Sequence, residues 1–236
     1  MKVKTVLCPR FSEVSRSFFN RDCQVHTAWT DGACAPREIL KAAEDLGLDT
    51  LAFTEHIRSE SVYFKDFFRE IEGLRKGLVM KVFIGVETKV IDEEGQLDIS
   101  SADYAMAEIV LGSVHRIPHN GGFYHPRDLG LEVTLEEEFR YLMAMLRGGR
   151  VDVLAHPFGM SLRMFNVFST DHLEEVIRTA ALTGVAFEFN SKYASPVFLK
   201  EAVRFCRKHD PLVSLGSDVH KIEDLGRCRG ILEGLI

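Results

Sequence analysis

Five histidines stand where short apolar runs end: His26, His56, His115, His156 and His220. Two carboxylates, Glu87 and Asp218, fall at equivalent places. Neutral imidazole is a common metal ligand, and rigid strand ends hold such ligands in place. This mix of nitrogen and oxygen donors suits zinc, manganese or iron rather than calcium, and lets several ions share a carboxylate. A single histidine after a strand is usually structural; five of the chain's nine at matching positions are harder to dismiss. Of the other four, His172 and His209 sit in helical stretches and are expected at the surface. His119 and His125 flank Gly121-Gly122 in a loop that could cover the site.

The elements that must position these groups alternate along the chain. Asp22-Cys23-Gln24-Val25-His26-Thr27 reads as a strand, with Asp22, Gln24 and His26 on one face and Cys23 and Val25 on the other. A loop follows to Gly32, then a helix over 36–47 that starts on Pro36 and stops at Gly47. Leu51-Ala52-Phe53 leads into Glu55-His56 as the second strand. Further strands are expected over 81–87, 109–114, 151–155, 185–189 and 212–216. Helices fall over 61–78, 134–147, 171–183 (capped by Asp171) and 197–209. Seven strands counted from Asp22, each ending in a polar group, point to a barrel with its site at the carboxyl rim. An open doubly wound sheet would instead offer a glycine-rich phosphate loop, and the chain has neither G-x-G-x-x-G nor a P-loop. The expected fold is therefore a single-domain, distorted (β/α)7 TIM-like barrel over 22–236, with 1–21 as an extension packing on it.

Bulk composition narrows the function classes. The 236 residues are 46% hydrophobic and 27% charged, as in an ordinary globular protein. The net charge of −6 argues against an extended nucleic-acid track, while leaving room for a small basic pocket for one phosphate. No apolar run reaches the roughly 20 residues that span a bilayer. The opening residues 1–10 lack the long apolar core of a signal peptide. Five scattered cysteines form no C-x-x-C pair, so a reducing cytoplasm is the expected compartment. None is a candidate nucleophile: Cys23 should face away from the polar side, and Cys34 lies beyond the loop.

Taken in order, Asp-x-x-x-His-Thr with a following Asp-Gly, Thr-Glu-His, Gly-x-Glu, Gly-Ser-Val-His, His-Pro and Gly-Ser-Asp-x-His resemble the PHP family. That family comprises polymerase-associated domains and metal-dependent histidinol-phosphate phosphatases. The match runs from Asp22 to His220, and Gly112–His115 and Gly216–His220 resemble the phosphatase branch in particular. The resemblance implies a (β/α)7 barrel holding two or three divalent ions. It implies that His26, Glu87 and Asp218 serve a first position, with Glu87 bridging to a second completed by His115 and His156. His56 and His220 would hold a third, with Asp31 a further candidate. Glu55, where the family often has aspartate, would orient ligands or waters without touching the metal.

One residue departs from that pattern. The family's opening His-x-His is here Gln24-x-His26. An amide oxygen is a poorer ligand than imidazole, so the first position should bind more weakly, or the site has kept binding and lost hydrolysis. Retained catalysis is the favoured reading, since every other ligand is present. Glu87, His115, His156 and Asp218 would then support in-line attack on phosphorus by a hydroxide bridging two ions. Arg116, Arg163 and Lys192, all read as loop residues on the metal side, are candidate phosphate anchors. The expected function is hydrolysis of a small-molecule phosphomonoester, histidinol phosphate being one candidate. The alternatives are a phosphodiesterase or exonuclease acting on nucleotides, and a metal-binding regulatory module.

Overall fold

The computed structural model describes residues 7–119 and 122–236. The sequence readings that touch residues 1–6 and Gly121 lie outside the described residues. Seven strands form one parallel sheet: β1 (Arg21–Val25), β2 (Thr50–His56), β3 (Lys81–Lys89), β4 (Ile109–Ser113), β7 (Val153–Leu154), β8 (Ala186–Asn190) and β9 (Val213–Gly216), in that order. A parallel bridge between Val25 and Val219 draws the two edge strands together. His26 N donates to Val219 O at 2.9 Å, and Val219 N to Gln24 O at 3.1 Å. The result is a nearly closed seven-stranded barrel.

Helices α1 (Pro36–Asp45), α2 (Phe64–Leu74), α3 (Ser101–Met106), α5 (Leu131–Gly148), α7 (Thr170–Thr183) and α8 (Pro196–His209) fall between the strands, and α9 (Arg227–Leu232) follows the last. Each longer helix turns a stripe inward, for example Phe64, Phe67 and Ile71 on α2. Those stripes cover the outward residues of the strands, including Leu51, Phe53, Val86, Phe187 and Leu215, in one large core. A second, smaller cluster that includes Cys23, Ala52, Leu111, Ala155 and Ala186 fills the barrel itself. Leu7 and Cys8 join it. Pro9 O accepts from Val213 N and Leu7 O from the Arg21 guanidinium, both at 2.9 Å, so this segment plugs the amino end of the barrel.

Four local features differ from the sequence reading. The simple alternation in β1 is broken by a bulge: Asp22 pairs with Leu51 but Val25 with Phe53, so two residues of β1 oppose Ala52. Cys23 consequently lies inside the barrel, not away from it, and Asp22 turns to the seam. The helix over 171–183 begins one residue earlier and is capped by Ser169, whose hydroxyl accepts from His172 N, rather than by Asp171. Between β4 and α5 the chain adds a hairpin, β5 (Ile117–His119) with β6 (Gly122–Tyr124), and a short helix, α4 (Pro126–Leu129). A further helix, α6 (Gly159–Phe165), occupies what the sequence presents as a loop. These pieces are too short to show a period.

Gly85 of β3 sits directly opposite Ile109 of β4. A Cβ there would stand 2.4 Å from Ile109 Cγ2 and 2.6 Å from its carbonyl oxygen. Gly85→Ala should therefore force the two strands apart and cost about 1–3 kcal/mol, read as a lowered unfolding midpoint. An unchanged midpoint would show that the strands can separate freely there.

Candidate metal centre

The carboxyl ends of the strands bring the five histidines to one rim, around Glu87. Its carboxylate is 1% exposed. Oε1 lies 2.9 Å from His115 Nε2 and 2.8 Å from His156 Nε2. Oε2 lies 3.2 Å from His26 Nε2 and 3.5 Å from His56 Nδ1. Strand register explains part of this, because His56 and Glu87 are direct neighbours across β2 and β3. Asp218, held at φ +50°, approaches His26 Nε2 at 3.1 Å and His220 Nδ1 at 3.4 Å. Asp31 Oδ2 lies 3.4 Å from His56 Nε2 and 3.2 Å from His220 Nε2.

These donors fall into three groups with the spacing of metal ligands: His26, Glu87 and Asp218; His56, Glu87 and His115; and His26, Asp31, His56 and His220. His26 Nε2 and Glu87 Oε2 are buried, adjacent and without a hydrogen-bond partner among the described residues. Buried polar atoms are rarely left so, and divalent cations fit both the vacancy of partners and the donor chemistry. Burial pushes Glu87 upward, but the charges of His115 and His156 hold it well below the usual carboxylate range. Burial lowers His26 and His156, yet Asp218 and Glu87 outweigh it and lift His26 to about 10, while Glu87 lifts His156 to about 9.

Around the donors, buried carboxylates fasten the loops. Glu55 accepts from Thr27 N at 2.7 Å and from the Thr30 hydroxyl, tying down the loop after β1. Asp22 accepts from Ser217 N at 2.9 Å and Gly226 N at 3.0 Å, which fixes the turn carrying Asp218. Glu188 accepts from His156 N at 2.7 Å. Burial pushes Glu188 up to about 8. Gln24 lies within the barrel, 0% exposed, and its amide oxygen accepts from Asn190 Nδ2 at 2.7 Å.

The cleft over the rim has two connected parts sharing Asp31, His56, His115 and Arg116. One, of about 640 Å³, extends past Arg58, Tyr63 and Lys89. The other, of about 440 Å³, holds Arg163, Lys192, Tyr193 and His125. All three cations singled out in the sequence thus line it, although Arg163 does so from α6 and not from a loop. Arg116 and Arg163 form no ion pair among the described residues; Lys192 Nζ lies 2.9 Å from Asp218 Oδ2 and 2.9 Å from His220 Nδ1.

Other candidates sit elsewhere. His119 pairs with Glu137 at 3.3 Å, away from the donors. His172 and His209 are half-buried rather than surface residues: the first stacks on Phe139 at 4.0 Å, and the second meets Glu174 at 3.0 Å. Cys23 remains excluded as a nucleophile, since burial pushes its thiol up to about 12. The sequence reading missed Tyr193, whose ring meets His156 edge-on at 5.0 Å, and gave no role to Glu188 or Glu138. Glu188 and Asn190, two apart in a strand, were the available signal.

This arrangement agrees with comparisons to known proteins. The PHP domain family model matches residues 22–192, and the chain belongs to that family. It is 28% identical over 216 residues to a probable phosphatase of Acetivibrio thermocellus, covering 87% of this chain and 81% of that protein. It is 25% identical over 212 residues to the DNA polymerase/3'-5' exonuclease PolX of Bacillus subtilis, covering 86% of this chain but 35% of that one. The chain thus spans about a third of PolX. Among solved structures, histidinol phosphate phosphatase from Lactococcus lactis, complexed with zinc, L-histidinol and phosphate, superposes with a TM-score of 0.76. It shares 19% identity, and the match covers 92% of each chain. No described helix is long and apolar enough to cross a membrane.

Protons and cations compete for this anionic pocket. His26 and His156 keep their protons below about 10 and 9, so binding a divalent ion near neutral pH must expel them. Apparent zinc or manganese affinity should therefore rise with pH from about 6 to 9, with proton release measurable by calorimetry in buffers of different ionisation enthalpy. A pH-independent affinity without proton release would mean that these imidazoles are not displaced.

Proposed function

We propose that the protein is a metal-dependent phosphatase acting on a small-molecule phosphomonoester. The observation that carries this reading is Glu87, a buried carboxylate with two imidazoles at each oxygen. His26, Glu87 and Asp218 would hold one ion; Glu87, His115 and His156 a second; His56, His220 and Asp31 a third. Two or three ions of zinc, manganese or iron suit these donors. When bound, such ions make water nucleophilic near neutral pH and neutralise phosphoryl charge.

The chain's own groups do the rest. Arg116 and Arg163, which form no ion pair among the described residues, would take phosphoryl oxygens from the two sides of the cleft, and Lys192 would add a third cation beside Asp218. Tyr193 packs on His156 and would limit how the substrate enters. Glu55 keeps Thr27 and Thr30, and so the loop bearing Asp31, in place. We infer that Gln24 is not a ligand, because Asn190 already engages its oxygen; the first ion is then held by three side chains. Membership of the family and the likeness to phosphatases support hydrolysis over mere binding.

A second reading, phosphodiester hydrolysis, draws on the cleft's extension to both sides of the donors, which gives room for two substituents on phosphorus. Rates on an aryl phosphate, its diester and a nucleotide panel, after reconstitution with manganese or zinc, separate the two. Turnover of the monoester is the expected result; activity confined to diesters would favour the second reading.

His156→Ala removes a donor from the Glu87 cluster and should lower kcat by at least about a hundredfold with folding intact. Wild-type turnover with metal still bound would place the chemistry elsewhere. Gln24→His restores an imidazole beside His26, so calorimetric titration should show tighter binding of the weakest ion. Identical affinities in both proteins would mean that position 24 does not reach the first ion.

A further inference from the structure

The turn after β7 carries His156 into the centre at a backbone cost. His156 and Phe158 have φ of +28° and +63°, values that side chains larger than glycine rarely adopt. Directly after it comes α6, only seven residues long and too short to persist alone. Two buried carboxylates hold this segment, and they divide it between them. Glu188 takes His156 N. Glu138, from α5, takes the first turn of α6: Oε1 accepts from Met160 N at 2.8 Å and Oε2 from Ser161 N at 2.9 Å.

Glu138 is 1% exposed, between Tyr141, Leu142 and Met145 on the same helix and the start of α6. A carboxylate is costly to bury in such a place unless it is hydrogen-bonded. Here both oxygens are used, and both serve the helix that displays Met160 and Arg163 to the cleft. His156 N has a separate anchor in Glu188, while its carbonyl accepts from Gly159 N at 2.8 Å at the start of α6.

We propose that Glu138 is a positioning residue that sets α6, and through it Arg163, over the metal centre, so that it governs substrate capture rather than metal binding. This rests on the reading above that Arg163 meets the phosphoryl group. Glutamine keeps the shape of Glu138 but offers one oxygen, and turns its amide hydrogens toward the second backbone N–H. Glu138→Gln should therefore loosen the first turn of α6 while leaving the bond from His156 N to Glu188 in place.

The test is a double-mutant cycle on metal-loaded enzyme, using an aryl phosphate. Glu138→Gln should raise KM by about tenfold with kcat within about threefold, and metal per chain should match wild type. Arg163→Ala should raise KM by a similar factor. In the double variant KM should be no higher than in Arg163→Ala alone, a non-additivity that general loosening of the fold would not produce. Amide exchange at Met160 and Ser161 should be faster in Glu138→Gln. If that protein fails to fold, Glu138→Asp, which keeps the charge one methylene short, should show the same pattern more weakly.

Full additivity of the KM effects, loss of metal, or a fall in kcat with KM unchanged would overturn the proposal. So would a wild-type KM in Arg163→Ala. Absence of turnover with every phosphate ester would overturn the phosphatase reading instead. Calorimetric binding of inorganic phosphate to the same four metal-loaded proteins would then replace KM and decide the proposal by the same pattern.

Discussion

A carboxylate buried without a compensating cation is among the costliest things a protein can contain. Glu87 is buried, and no lysine or arginine touches it among the described residues, so its compensation falls to the imidazoles. What surrounds it is imidazole: His56 from the neighbouring strand, His26 from the next, and His115 and His156 from the other side. Imidazole can answer a carboxylate in two ways, as a protonated partner or as a neutral co-ligand of a cation. The parallel barrel makes the second possible, since it delivers the carboxyl ends of all its strands to one rim.

Holding ligands from separate strands in register is a problem of loops, because most of them sit just past a strand end. The structure solves it repeatedly in one way. Asp22 fastens the turn before Asp218, Glu55 the loop before Asp31, Glu188 the backbone of His156, and Glu138 the helix beyond it. Each is a buried acidic side chain accepting from a backbone N–H that the loop would otherwise leave unpaired. Such supports keep donors within the small tolerance that metal binding demands.

Gln24 marks where this chain parts from the wider family pattern. Its amide is tied to Asn190, and Asn190 Nδ2 also lies 3.2 Å from Glu188 Oε2. The position has thus been drawn into the polar layer beneath the centre. The candidate centre therefore has one imidazole fewer, beneath a cleft lined by Arg116, Arg163 and Lys192.

The seven strands, the longer helices and the ring of donors were legible along the chain. Parallel strands buried on both faces read as apolar runs, and each run here ended in a polar group, six of the seven in His, Glu or Asp. Other features left no such trace. The bulge that puts Cys23 inside the barrel depends on how β1 meets β2. Helix α6 has no side-chain cap at its own N-cap residue; its second and third N–H groups are satisfied by Glu138, which precedes Met160 in the chain by 22 residues. Likewise Glu188 reads as a polar residue in a strand until His156 N is found against it. The sequence determined which residues could bind metal and on which elements they ride, because periodicity is a local property. Which carboxylates face the candidate metal centre and which became anchors was decided only by the tertiary structure, since that depends on which backbone N–H groups the closed barrel leaves to be satisfied.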